Sequence, residues 1–260
     1  MRTGSSRSSP RGPCTRPKRR RTRPAGSDLA RRADPAERTD SAERTDRAKR
    51  FELVIFDNDG VLVDSEPHAN RVLAALLTEC GLPTTFEESL RDYVGSSIPR
   101  VRRIARDRLG RPLPADFERR YYEALFERLR RGLEPIPGAR QAIERIPLPS
   151  CVASSGSRER IELSLGLTGL LSRFEGRMFS AEDVERGKPA PDLFLFAAES
   201  LGVDPSRCAV IEDSPLGIEA ANAAGMMSFG FAGSTPPDRL SEARGGVFTV
   251  MDQLPGLLGV

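Results

Sequence analysis

The chain has 260 residues, of which 38% are hydrophobic and 30% charged, with four cysteines, one histidine and no tryptophan. That length accommodates one α/β domain with a modest insertion, and no apolar run approaches the ~18 residues of a membrane span. The cysteines, at 14, 80, 151 and 208, lack metal-ligand spacing and read as reduced thiols of a cytoplasmic protein.

The net charge of +3 conceals an asymmetry: residues 1–50 carry 16 Lys and Arg against 6 Asp and Glu, whereas residues 51–260 carry 24 against 31. The first 50 residues hold Pro, Ser, Gly and Arg with almost no large apolar side chains, so they are predicted to form a disordered basic leader. Its PKRRRTR stretch (17–23) has two readings: a nucleic-acid or anionic-surface contact, and a solvated tail or codons upstream of the true start. The composition favours the second, and the lack of an apolar h-region argues against a secretory signal.

Residues 53–65 read LVIFDNDGVLVDS. Leu53 to Phe56 form a continuous apolar run, as expected of a strand buried on both faces of a parallel sheet. The run ends in Asp57, Asn58, Asp59 and Gly60, and two acids just past the carboxyl end of such a strand stand where open α/β sheets bind ligands. A solvated turn is the plainer alternative for this segment taken alone.

Helical periodicity follows. Leu73, Leu76, Leu77 and Cys80 share a face that stops at Gly81; Val101, Ile104, Ala105 and Leu109 repeat the pattern before Gly110; Phe117, Tyr121, Leu125 and Leu129 trace a third stripe. Asp64 is predicted to cap the helix that begins near Pro67. Further on, ARQAIERI (139–146) reads as a helix, CVA (151–153) as a strand, RERIELSLGLTGLL (158–171) as one helix and MFS (178–180) as a strand. DLFLFAAESLG (192–202) reads as a helix, AVI (209–211) and MSFGF (227–231) as strands flanking an Ala-rich helix, and VFTV (247–250) as the last strand. Alternating strands and helices imply a mostly parallel, Rossmann-like sheet covered by helices on both faces.

The apolar runs deliver polar groups at or beyond their ends. CVASSGS leads to Ser154, ERGKPAPDLF contains Lys188, and AVIEDSPLGIEAANAAG supplies Glu212 and Asp213. With Asp57 and Asp59 this is a kit for phosphoryl transfer: a carboxylate nucleophile, an acid/base, phosphate clamps and ligands for a hard divalent metal. Lys188 is the sole lysine from residue 51 onward in a chain rich in arginine, which points to a site that needs a compact ammonium.

DNDGVLVDSE, Ser154, GKPAPD and EDSPLGIEAANAAG resemble, in order, the four motifs of the haloacid dehalogenase-like (HAD) superfamily. The resemblance spans residues from about 51 to 258. Within it, the chain is most similar to the branch holding sugar-phosphate phosphatases, such as phosphogluconate phosphatase, and β-phosphoglucomutase. The resemblance implies a HAD-like α/β core formed by residues 51–65 and 135–260, with a helical cap, residues 66–134, inserted after the first motif.

On these residue types, Asp57 is the expected nucleophile and Asp59 the acid/base. Ser154 and Lys188 are expected to bind phosphate. Asp57, the backbone carbonyl of Asp59, Asp213 and Glu212 are expected to serve Mg²⁺. Asp59 disfavours dehalogenation, which has no leaving alcohol to protonate. The lack of any lysine between 51 and 187 excludes the Schiff-base chemistry of family phosphonatases. β-Phosphoglucomutase uses a cap histidine and a cap lysine; here Ala69 stands at the histidine's place and His68 falls one residue early, rotated by ~100° on a helix. Hydrolysis of a small phosphorylated metabolite, a sugar phosphate or phosphosugar acid, is therefore favoured over mutase chemistry. A non-catalytic phosphometabolite or nucleic-acid binder is a further alternative. The cap loop YVGSSIPR (93–100) offers Gly95, Ser96, Ser97 and Arg100 to the substrate, and a monomer is expected.

Overall fold

The computed structural model describes residues 51–93 and 96–260. Residues 1–50, predicted as the basic leader, and the loop residues Val94 and Gly95 lie outside the described residues. The described part contains a six-stranded, fully parallel sheet and ten α-helices.

The sheet order is β3-β2-β1-β4-β5-β6. Its strands are β1 (Leu53–Phe56), β2 (Ser150–Ser154), β3 (Met178–Ser180), β4 (Cys208–Glu212), β5 (Met227–Phe231) and β6 (Val247–Phe248). Every residue of β1, β2 and β4 is buried, which is why their sequences are unbroken apolar runs and not alternating ones. Alternate residues serve two cores. Val54, Phe56, Val152 and Ile211 face one layer, and Leu53, Ile55, Cys151 and Val210 face the other. Cys80, Cys151 and Cys208 are buried free thiols, as expected.

Between β1 and β2 stand α1 (Glu66–Glu79), α2 (Phe86–Tyr93), α3 (Ile98–Leu109) and α4 (Phe117–Arg130), the helices of the segment expected to be the cap. The stripe on α4 is the expected one: Phe117, Tyr121, Leu125 and Leu129 are its buried residues. The two connections to the cap run side by side, with Asp64 N donating to Glu134 O at 3.0 Å and Ile136 N to Leu62 O at 3.0 Å.

The remaining helices are α5 (Ala139–Arg145), α6 (Arg158–Leu167), α7 (Leu171–Phe174), α8 (Asp192–Ser200), α9 (Pro215–Ala223) and α10 (Leu254–Leu258). Four details differ from the expectations. The helix read over 158–171 is two, because Gly169 takes a left-handed φ of 68° and turns the chain. VFTV contributes only Val247 and Phe248 to the sheet, and Val250 is exposed. Ser65, not Asp64, occupies the N-cap of α1, and its hydroxyl turns to Asp59. Helix α2 was not anticipated, although Thr85 and Glu88 form a reciprocal capping pair before it: Thr85 N donates to Glu88 Oε2 at 2.8 Å and Glu88 N to Thr85 Oγ1 at 3.1 Å.

Phe174 joins α7 to the sheet by packing edge-on against Phe56, with ring centroids 6.1 Å apart. It is fully buried. Phe174→Ala should therefore cost about 3–5 kcal/mol, read as a lowered urea midpoint at unchanged m-value.

Candidate active site

Chain order along the sheet places the acids. From β1 the chain steps to β2 and β3 on one side, then returns to β4 on the other, so the order reverses at β1. Open α/β sheets bind ligands beyond the strand ends at this point. Phe56 pairs with Ile211, and Asp57 N donates to Ile211 O at 2.9 Å, which sets Asp57 beside Glu212. Ligand atoms of Asp57, Glu212 and Asp213 all lie within 4.8 Å of one another.

Lys188 enters from the loop before α8 and is almost completely enclosed. Its Nζ donates to Asp57 Oδ1 at 2.7 Å, Glu212 Oε1 at 2.6 Å and Ala153 O at 3.0 Å. Burial works against its charge, but Asp57 and Glu212 outweigh that and hold the amine protonated. One ammonium does not balance three buried carboxylates. Burial, offset in part by Lys188 and reinforced by Glu212, pushes the Asp57 carboxyl up to about 7. Burial followed by repulsion from Glu212 and Asp57 raises Asp213 well above the usual carboxylate range. Clustered, buried and proton-retaining carboxylates are the donor set that a hard divalent cation such as Mg²⁺ fits.

Two glycines make room for these carboxylates. Gly60 turns the chain with φ of 78°, and a Cβ there would overlap the Asp213 carboxylate. A Cβ on Gly217, in α9, would overlap Glu212. Glu212 Oε2 also accepts from Ser214 N and Oγ, both at 2.9 Å, while Ser214 Oγ accepts from Gly217 N at 3.1 Å. The start of α9 thus holds the acid in place.

Ser154 is buried at the end of β2, its Oγ accepting from Gly156 N at 3.1 Å. Asp59, farther out, takes two hydrogen bonds on one oxygen: Ser65 Oγ donates to Oδ1 at 2.5 Å and Arg160 Nη2 at 2.8 Å. All six predicted core residues line one cavity of about 510 Å³ between the strand ends and the cap helices. Ser96, Ser97 and Arg100 line it too, but Arg100 lies in the first turn of α3 and not in a loop. Gly95 is outside the described residues. Ala69 lines the cavity and His68 does not. Burial and the Arg128 guanidinium hold the His68 pKa below its usual value.

A haloacid dehalogenase-like hydrolase family model matches residues 51–225. The chain belongs to the haloacid dehalogenase-like hydrolases. It is 32% identical over 209 residues to the 6-phosphogluconate phosphatase of Escherichia coli (strain K12), covering 80% of this chain and 95% of that protein. Among solved structures, a conserved HAD-like protein of unknown function from Agrobacterium tumefaciens str. C58 is 38% identical with a TM-score of 0.73, covering 80% of this chain and 97% of that one. A HAD family hydrolase from Deinococcus radiodurans R1, solved with bound phosphate and sodium, is 31% identical with a TM-score of 0.66, covering 80% and 97%.

Sequence reasoning missed Arg160 and Glu66, which line the cavity, and Ser65, which is buried behind it and donates to Asp59. Arg160 reaches Asp59 across 101 positions, and no local pattern announces such a contact. Glu66, bound by Asn70 Nδ2 at 2.8 Å, is raised by burial and then by Asp59.

Because Gly60 gives up its space to Asp213, Gly60→Ala should displace that carboxylate. Calorimetric titration should find Mg²⁺ binding weakened by about 10–100-fold, with a native far-UV spectrum.

Proposed function

We propose that the protein is a Mg²⁺-dependent phosphatase that hydrolyses a small phosphate monoester, a sugar phosphate or phosphosugar acid, through an aspartyl-phosphate on Asp57. The observation that carries this reading is the convergence of Asp57, Asp59, Ser154, Lys188, Glu212 and Asp213 on one cavity at the strand ends. The Escherichia coli relative, whose name states a phosphosugar acid, supports the substrate class.

Asp57, Asp213, the Asp59 carbonyl and Glu212 would hold the metal. Mg²⁺ bound there supplies the positive charge that lets an anionic carboxylate meet a phosphate dianion. The reaction then rests on the chain's own groups. An Asp57 carboxylate oxygen attacks phosphorus and the ester P–O bond breaks. Asp59 gives its proton to the departing alkoxide, takes one from the incoming water, and water attack on the aspartyl-phosphate frees inorganic phosphate and Asp57. Ser154 and Lys188 hold the phosphoryl oxygens as charge shifts among them. Its hydrogen bonds to Asp57, Glu212 and Ala153 already aim Lys188 Nζ at the cavity, and it exchanges one of them for a phosphoryl oxygen when substrate enters.

The cap, residues 66–134, supplies the far wall. Ser96, Ser97 and Arg100 there suit hydroxyl and anionic substituents. Hydrolysis is favoured over phosphomutase chemistry because the cavity presents Ala69 where a mutase needs histidine, and residues 51–187 offer no lysine. The leader is outside this chemistry, and a chain starting at Lys49 should keep its turnover.

A phosphate-release screen across phosphorylated metabolites tests the reading. Inorganic phosphate should be the dominant product with Mg²⁺, and activity should vanish in EDTA. Full turnover in metal-free buffer, or faster isomerisation of β-glucose 1-phosphate than phosphate release, would overturn it.

A second prediction concerns stability. Asp57 and Asp213 have raised folded-state pKa values, so between the unfolded value of 3.8 and about 7 the folded protein binds more protons. Their contribution is therefore stabilising at low pH and lost as pH rises through that window. Mg²⁺ competes with those protons. The Mg²⁺-induced rise in Tm should be larger at about pH 8 than at about pH 6, by roughly 2–4 °C for each kcal/mol of extra binding energy. Differential scanning fluorimetry reads this without any activity assay.

A further inference from the structure

Arg160 differs from the other ion-paired arginines of the described residues. Its side chain is 13% exposed, whereas the others are at least 34% exposed. Exposed pairs of that kind contribute little. A buried guanidinium must be held by something specific.

The chain sets it deliberately. Ser157 caps α6, its Oγ accepting from Arg160 N at 3.3 Å, so the helix begins where Arg160 falls in the first turn. From there the side chain reaches the cavity beside Tyr121, Tyr122 and Glu66 of the cap. Gly156 keeps the path open, since a Cβ at that position would press on Arg160 Cδ at 3.2 Å. Nη2 ends on Asp59 Oδ1 at 2.8 Å, and Nε is buried with no partner. Accepting one orphaned donor in order to aim Nη2 indicates that the Asp59 contact is what the conformation serves.

Ser65 donates to that same Oδ1 at 2.5 Å. Ser65 is fully buried where the chain enters α1. An oxygen that receives a guanidinium N–H and a hydroxyl has no room for a proton of its own, because a guanidinium only donates. Among the described residues no such donor reaches Oδ2, which is left for proton transfer.

We propose that Arg160 is a positioning residue: with Ser65 it clamps Asp59 through Oδ1, so that Oδ2 carries the proton between the leaving alcohol and the attacking water. In the first half, Oδ2–H passes its proton to the ester oxygen as the P–O bond breaks. In the second, Oδ2 takes a proton from water as the water oxygen bonds to phosphorus. Arg160 keeps its charge and its hydrogen bond throughout. The inference rests on Asp59 being the acid/base of the phosphatase reading.

The test compares the full-length protein with Arg160→Met, Arg160→Lys, Asp59→Asn and the double variant Asp59→Asn/Arg160→Met. Each is assayed on 6-phosphogluconate, whose alkoxide needs protonation, and on p-nitrophenyl phosphate, whose leaving group needs little. Arg160→Met should lower kcat on 6-phosphogluconate about 10–100-fold and on p-nitrophenyl phosphate less than about fivefold. Arg160→Lys should recover part of the loss, since an ammonium can still donate to Oδ1. Adding Arg160→Met to Asp59→Asn should cost no more than about twofold on 6-phosphogluconate. Equal losses on both esters, a change in KM alone, or multiplying losses in the double variant would overturn the proposal. Should Arg160→Met not fold, Arg160→Gln against Arg160→Lys gives the same ratio of the two kcat values. If Asp59→Asn itself shows no leaving-group dependence, the acid/base reading fails and this proposal with it. If Asp59→Asn shows the dependence and the Arg160 variants do not, only the Arg160 proposal fails.

Discussion

The buried ammonium of Lys188 among Asp57, Glu212 and Asp213 is the interaction around which the described structure is organised. Three carboxylates within 4.8 Å would repel one another strongly in a dry interior. Lys188, with its side chain 4% exposed, offsets part of this by directing three N–H groups to two carboxylates and a strand carbonyl. A tetrahedral ammonium can do so; the planar fork of a guanidinium cannot reach three acceptors arranged around a point. This explains why a chain that otherwise uses only arginine from residue 51 onward keeps a lysine here. The residual negative charge makes the site costly for the empty fold and receptive to a divalent cation, and the surrounding apolar layers stabilise the fold against it.

That cluster depends in turn on the register of β1 and β4. A parallel pair brings equivalent ends of two strands to the same edge, so acids that follow β1 and β4 meet although they are some 155 positions apart. Sliding β4 by one residue would turn Glu212 away and bring its apolar neighbours to the opposite core. The fully buried sequences of both strands and the close fit of Gly60 and Gly217 against Asp213 and Glu212 oppose such a slip. Fold and site are thus specified by the same residues.

Much of this was legible in the sequence because it is local. An apolar run followed by acids announces a buried strand and its ligand end, and Phe117, Tyr121, Leu125 and Leu129 announce a helix face. Elements whose definition depends on distant partners were harder to read. VFTV has the composition of a strand, yet only two residues find a neighbour on β5. The break between α6 and α7 at Gly169 follows from Leu170 turning into the core, where Leu170 N donates to Leu165 O at 2.8 Å. The Thr85–Glu88 capping pair is local and marks the start of α2 in the sequence itself. Arg160 was not readable: one arginine among many acquires meaning only when the fold carries it to Asp59.

The division between sheet and cap also bears on selectivity. Groups facing the phosphoryl end come from strand ends and the loops directly after them, whose positions are tied to backbone hydrogen bonds of the sheet. Of the groups facing the rest of the cavity, Arg100 and Tyr122 come from α3 and α4, and Ser96 and Ser97 from the segment just before α3. Their positions are set by side-chain packing between helices, which tolerates substitution more readily than a ladder does. Arg160 lies between the two regimes: it is anchored on α6, lines the cavity together with Tyr121 and Tyr122, and is bonded to Asp59. On the role proposed for Asp59, a change in packing at Tyr121 or Tyr122 is transmitted to that carboxylate through this guanidinium.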